Sequence, residues 1–246
     1  MADFDYLELD IHITPEQKAL KAQVHAFARD VLRPAAIALD KLADPARVIA
    51  ADSPLWPAQR AAYAGGFHTA LIPVEQGGLG LSGLSLHIAL EELGWGSADF
   101  AANLAVAGMP FAWAAKSGNA ALIEEFVRPF VADRAARWIG CWSITEPNHG
   151  SDHFLTQGPQ FTDPAIHGEV TLRRAGDDYV INGSKSKWVS NGTLATHALL
   201  YLTLDAGQGM AGGGVALVPL DLPGVSKGAP LDKMGQRAQP GRMPLS

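Results

Sequence analysis

Two short stretches of this 246-residue chain gather the residue types that can grip a flat heteroaromatic ligand. The first is Cys141 to Asp152, CWSITEPNHGSD, in which a strand carrying Trp142 and Ile144 ends at Thr145. Glu146-Pro147-Asn148 then turns the chain before Gly150-Ser151-Asp152. A turn of this kind aims main-chain N–H groups and hydroxyls into one cavity, and such ligands need donors and acceptors at the rim with aromatic faces over the plane. The second is Lys185 to Asn191, KSKWVSN, with Trp188 two residues before Ser190. If that segment is a strand, both side chains share one face.

Other candidates are weaker. His149, Asp152 and His153 have the residue types of a two-histidine, one-carboxylate metal site, but Pro147 and Gly150 leave no helix to hold them on one face. Glu91 and Glu92 are neighbours, so on a helix they point about 100° apart and do not act as an acid–base pair. Two Gly-x-Gly-x-x-Gly matches occur. The one at Gly207–Gly212 leads into a strand and not a helix, so it reads as a hairpin loop. The one at Gly78–Gly83 follows a segment broken by Pro73, so it reads as a tight loop between helices. No Gly-x-Ser-x-Gly nucleophile elbow is present.

Composition narrows the function classes. With 48% hydrophobic and 18% charged residues and a mean hydropathy of +0.06, the chain is that of a folded protein. Its net charge of −6 and scattered Lys and Arg give no basic stripe, which argues against nucleic acid as a partner. The single cysteine, Cys141, forms no intrachain disulfide and no thiolate cluster. Apolar runs such as Ala198–Leu202 fall far short of the roughly 20 residues of a membrane span. Met1–Asp10 is acidic and lacks the pattern of a signal peptide, so a cytoplasmic location is expected.

The elements that must position the two stretches divide into halves. Thr14-Pro15-Glu16-Gln17 is a capping box with proline at the first helical position, and Leu20, Val24, Phe27 and Val31 continue one apolar stripe. Pro34 is expected to end that helix. Further helices are expected over Leu84–Leu93, Phe100–Lys116 and Ala120–Val127, the last capped by Asn119. From Arg137 the pattern changes to strands at Trp138–Ile144, Glu169–Arg174, Tyr179–Ile181, His197–Leu204 and Val215–Leu220. The Gly176-Asp177 turn between two of them predicts antiparallel pairing. The expected fold class is α+β: an all-α N-terminal domain over residues 1–136, then an antiparallel β-barrel-like domain over residues 137–246.

Taken in order, the motifs resemble those of the acyl-CoA dehydrogenases. The family's Thr-Glu-Pro-x-x-Gly-Ser-Asp turn stands here as Thr145 to Asp152, and its Asn-Gly-x-Lys-x-Trp-Ile-Thr-Asn strand as Asn182 to Asn191. Pro73 to Ser82, Glu91-Glu92-Leu93-Gly94 and Asp232 to Arg237 are similar too. The resemblance implies an FAD site in which Trp188, Val189 and Ser190 lie along the flavin, with Ser190 in place of the usual Thr. It implies that Trp142, Ser143, Ile144 and Thr145 line the pyrimidine side, and that Ser151 touches both FAD and the thioester substrate. The implied reaction is α,β-desaturation of an acyl-CoA to an enoyl-CoA, with an electron-transferring flavoprotein as acceptor and a homotetrameric assembly.

The same resemblance places the catalytic glutamate and a C-terminal helical-bundle domain beyond Ser246, so no catalytic base is assigned within the chain. An aromatic stack adds about 1 kcal/mol, against about 12 for nanomolar retention, so Trp188 does not hold FAD alone. Two departures from the family stand out: the long His153–Gly168 stretch, expected as a loop over the substrate channel, and His149 where a small residue is usual. Two other functions fit the motifs. One is a flavin-dependent monooxygenase on the same scaffold. The other is a non-catalytic FAD- or CoA-binding fragment or subunit.

Overall fold

The computed structural model describes residues 12–238. The acidic start Met1–Asp10 and the end of the chain at Ser246 lie outside those residues. The described chain runs as helices to Ala132 and as strands from Gly140.

The capping box forms as the sequence predicts. Thr14 Oγ1 accepts from Gln17 N–H at 3.2 Å and Gln17 Oε1 accepts from Thr14 N–H at 2.9 Å, starting α1 (Pro15–Phe27). Pro34 does not end the helix. A π-helical turn at Ala28–Leu32 sends the Arg33 N–H back to the Ala28 carbonyl, five residues earlier, and α2 (Arg33–Asp40) continues beyond it. Widening the turn ahead of the proline accommodates its missing N–H and the ring's clash with the preceding turn. The same device recurs ahead of Pro129. The short α6 (Ala120–Leu122), capped by Asn119, opens into a π-helical turn at Ile123–Val127 and closes again as α7 (Arg128–Ala132). Between these lie α3 (Leu55–Ala64), α4 (Gly83–Gly96) and the longest helix, α5 (Ala98–Lys116), which contains Pro110.

The helices pack around a core of Leu32, Leu39, Leu55, Tyr63, Phe100, Phe111 and Phe130, all fully buried. Phe111 stacks on Phe130 with ring centroids 4.0 Å apart, and Tyr63 stacks on His68 at 4.1 Å. Gly78 is obligatory here, since a Cβ would stand 2.1 Å from the Ile72 carbonyl oxygen. That contact explains one of the two Gly-x-Gly-x-x-Gly matches as loop packing.

The sheet contains β1 (Gly140–Ser143), β2 (Thr171–Ala175), β3 (Asp178–Asn182), β4 (His197–Thr203) and β5 (Gly213–Pro219). The expected β2–β3 hairpin is present, with Gly176 at φ 69°, and β4 pairs antiparallel with β5 along its whole length. The expectation of an antiparallel barrel is corrected. β1 runs parallel to β4, in register Gly140↔His197, and β2 meets the same edge of β4 in parallel at Thr171↔Thr203. The sheet is therefore mixed and open. Its centre is β4, buried on both faces, while β3 and β5 lie at its ends. A long connection separates β1 from β4, so no hairpin forces them antiparallel, and local turn chemistry could reveal only the β2–β3 pair.

β1 rests directly on α5. A Cβ at Gly140 would lie 2.5 Å from the Ala107 carbonyl and against Pro110, so only glycine lets strand and helix approach this closely. This contact carries residues of α5 to the end of β1.

Candidate functional site

The end of β1 and the segment before β4 meet in two adjoining cavities. The inner one, of about 290 Å³, is lined by Trp142, Ile144, Thr145, Gly150, Ser151, Phe154, Trp188, Ser190 and Val106 of α5. The outer one, of about 470 Å³, shares Thr145, Gly150, Ser151 and Trp188 and adds the His149–Asp152 turn, Leu155 and Ser186.

Six of the eight residues singled out in the sequence thus face one cavity. Ser143 and Val189 do not, because both are fully buried. Along β1, Cys141 and Ser143 point into the sheet's core while Trp142 lies on the opposite face, as strand alternation requires. Burial also pushes the Cys141 thiol up to about 12, so it is an inert core group.

The Lys185–Asn191 segment is not a strand. It is irregular, with turns at Lys187–Trp188 and after Ser190, and Asn191 takes a left-handed φ of 64°. What fixes it is a set of polar ties. Lys185 Nζ and Glu146 Oε1 form an ion pair at 2.7 Å with both side chains at zero exposure, and Lys185 also donates to the Ile144 carbonyl at 3.0 Å. Glu146 further accepts the main-chain N–H groups of Glu169 and, at 3.2 Å, Val170. Burial pulls the Lys185 pKa below the usual lysine value, against the opposing pull of Glu146. The Ser186 N–H donates to the Thr145 carbonyl at 2.8 Å. Beyond Ser190, Asn191 Nδ2 donates to the carbonyls of Asn103, at 2.9 Å, and Gly140, at 3.3 Å. Two motif residues, Lys185 and Asn191, therefore hold the wall in place without lining it.

Trp188 stands at the junction of the cavities with 65% of its surface exposed. Phe154, 51% exposed, lines the inner cavity from the His153–Gly168 stretch, and its ring lies 6.0 Å from that of Trp142. Sequence reasoning missed Val106, Phe154 and Leu155, since their position depends on packing across distant parts of the chain. The His153–Gly168 stretch supplies two of these residues and packs its Pro159–Thr162 turn against the β4–β5 loop, where Gly209 lies so close to Asp163 that a Cβ would be 2.5 Å from its carbonyl oxygen.

An exposed aromatic surface, a rim of hydroxyls and an unpartnered donor suit a planar ligand bearing carbonyl and ring-nitrogen acceptors. The donor is the buried Trp142 Nε1–H, which has no partner among the described residues. An isoalloxazine ring has this chemistry, so the residues present fit FAD. Among the described residues no group of three or more His, Cys, Asp and Glu side chains is placed to hold a metal ion, and His149 is instead paired with Asp152. Glu91 is exposed, and Glu92 is buried against His25, 2.6 Å away between α1 and α4; neither lines either of these two cavities. No helix among the described residues is long and apolar enough to cross a membrane.

Comparison with known proteins agrees with the motifs. The family model for the acyl-CoA dehydrogenase N-terminal domain matches residues 14–134, and that for the middle domain matches residues 141–245. The short-chain specific acyl-CoA dehydrogenase of Rattus norvegicus mitochondria is 31% identical over 169 residues, covering 68% of this chain and 37% of that protein. A probable acyl-CoA dehydrogenase of Bacillus subtilis, YngJ, is 28% identical over 238 residues, covering 93% of this chain and 54% of that protein. Among solved structures, a putative acyl-CoA dehydrogenase from Mycobacterium smegmatis superposes with a TM-score of 0.73 at 30% identity, over 93% of this chain and 54% of that one. The chain thus spans from about a third to about half of the length of these curated relatives.

Proposed function

Because the chain belongs to the acyl-CoA dehydrogenase family, we propose that its inner cavity is one wall of an FAD site in an oxidoreductase that desaturates acyl-CoA thioesters. The observation that carries this is the convergence of Trp142, Ile144, Thr145, Ser151, Trp188 and Ser190 on a single cavity from two separate segments. Ser143 and Val189 keep a role through their main chain and through the packing that aims their neighbours. The domain division we propose lies between residues 136 and 137.

Bound FAD would supply the two-electron acceptor. The chain's own residues do the positioning. Trp142 and Trp188 offer faces to a planar ring, and the Thr145 and Ser190 hydroxyls offer hydrogen bonds at its edge. Val106, Ile144 and Phe154 keep water from the carbon that loses hydride, and Ser151, common to both cavities, bridges cofactor and thioester. The proton is assigned to a glutamate beyond Ser246. Acyl-CoA as substrate, an electron-transferring flavoprotein as acceptor, a homotetramer and a cytoplasmic site of action belong to the same proposal.

The test is anaerobic mixing of the FAD-loaded full-length protein with saturated acyl-CoA thioesters of graded length. Loss of the oxidised-flavin absorbance with a saturated thioester, and none with the matching enoyl-CoA, is expected. Flavin that stays oxidised with every thioester contradicts the reading. A second reading draws on the prolyl acyl carrier protein oxidase AnaB, whose solved structure is 25% identical with a TM-score of 0.68. It has oxygen as the acceptor and a carrier-bound acyl group as the substrate. Rapid reoxidation by air with release of hydrogen peroxide would favour it.

A further inference from the structure

The outer cavity contains a pair of side chains that flavin retention does not use. His149 Nδ1 lies 2.6 Å from Asp152 Oδ2, and the Gly150 N–H donates to Asp152 Oδ1 at 2.6 Å. Burial acts to raise the Asp152 pKa, but the hydrogen bonds from His149 and Gly150 outweigh it and hold the carboxyl below its usual range. An ionised carboxylate only accepts, so the Nδ1 beside it carries a proton, and Nε2 is the nitrogen left to accept a hydrogen bond from elsewhere when the ring holds a single proton. His149 lines the cavity and is largely enclosed, as is Asp152. A base oriented by a carboxylate at the edge of a cavity has the geometry of a proton-accepting dyad.

We propose that His149 Nε2, held by Asp152, accepts a hydrogen bond from an uncharged N–H or O–H donor of the ligand in the outer cavity. The amide groups of a thioester's carrier arm have this chemistry, and that assignment of the ligand rests on the acyl-thioester reading above. The charge around the cavity favours a neutral donor over an anion. Its lining includes the carboxylates Glu146 and Asp152 and no lysine or arginine. Lys185, the nearest buried cation, is taken up by Glu146, while the Asn148 amide donates to Glu169. His153 lies on the same turn, and burial holds its pKa below the usual histidine value. A phosphate here would meet the Asp152 carboxylate with no lysine or arginine in the lining to offset it.

The alternative is that the pair merely braces the turn. Asparagine separates the two roles, since its Nδ2 can replace Nδ1–H toward Asp152 while leaving nothing at the Nε2 position. The experiment titrates the full chain, without FAD, with pantetheine, an uncharged amide-bearing thiol. Binding is followed by calorimetry and by the imidazole nitrogen resonances of His149. Saturable binding with a shift of Nε2 is expected. His149→Asn should weaken it about fivefold, the worth of one hydrogen bond, with the thermal midpoint unchanged. Asp152→Asn, which frees the tautomer, should weaken it as well. The proposal is overturned by equal affinity of His149→Asn and the parent protein, by absence of saturable pantetheine binding, or by pantetheine binding that inorganic phosphate displaces. Because FAD is left out, failure of the flavin reading would leave this result standing, and the reverse also holds.

Discussion

The helical half and the cavity wall are held together by different physics. The helices pack through stacked rings and aliphatic side chains around Tyr63, Phe111 and Phe130, where contacts are many and each one is small. The wall adds Cys141 and Val189 to a second, smaller apolar cluster, and it carries a set of directional bonds besides. The Lys185–Asn191 segment is irregular and stays in place through one buried ion pair, two carboxamide bonds from Asn191 and a main-chain bond between Ser186 and Thr145. Apolar packing tolerates rearrangement, whereas directional bonds between buried groups fail all at once. The contrast shows a cavity wall held by Lys185 and Asn191, which are themselves outside the lining.

The largest effect should follow from breaking the ion pair. Lys185→Met leaves Glu146 buried and unpaired, and should cost about 3–5 kcal/mol in denaturant unfolding. The double variant Lys185→Met with Glu146→Leu should recover much of that stability. It should not recover ligand binding, because the buried side-chain tie from Lys185 to Glu146 and the Ile144 carbonyl is gone. Recovery of both would mean that the wall is held by packing after all.

Acid should act next, on the helical core and on the start of β4 packed against it. His68, stacked on Tyr63, and His197, stacked on Trp138, are each lowered to about 4, chiefly by burial. Both bind protons more readily when unfolded, where a histidine titrates near 6.5, so stability is full above that value and falls as pH drops from about 6.5 toward about 4. His197→Phe should flatten part of that acid limb in a plot of unfolding midpoint against pH. Trp188→Ala sharpens the contrast from the other side. An exposed ring contributes little to folding, so thermal stability should hardly move while FAD affinity falls about tenfold, near the upper worth of an aromatic stack. The smallest effect is a control in the helical half: Thr14→Ala removes the capping box for about 1 kcal/mol and leaves ligand binding untouched.

Local rules carried the sequence reading as far as local physics reaches. The Thr14 cap, the Asn119 cap and the Gly176 hairpin each depend on neighbours a few residues away, and each is legible for that reason. Pro34 misleads because a π-helical turn absorbs it, which no periodicity count registers. The parallel pairing of β1 with β4 and the arrival of Val106 and Phe154 at the cavity depend on contacts across long stretches of chain. Trp188 and Ser190 line one cavity although the strand expected to carry them is absent, because the ties at Glu146, Lys185 and Asn191 hold an irregular segment in its place.

The central claim is that the two segments form a flavin-binding wall, and titration of the full chain with FAD, followed by amide and indole N–H resonances, tests it most directly. The account predicts saturable shifts centred on the Trp142 and Trp188 indoles and the Thr145, Ser151 and Ser190 amides, with the helical core unmoved. Saturation with shifts centred elsewhere, or no saturation at all, would contradict it.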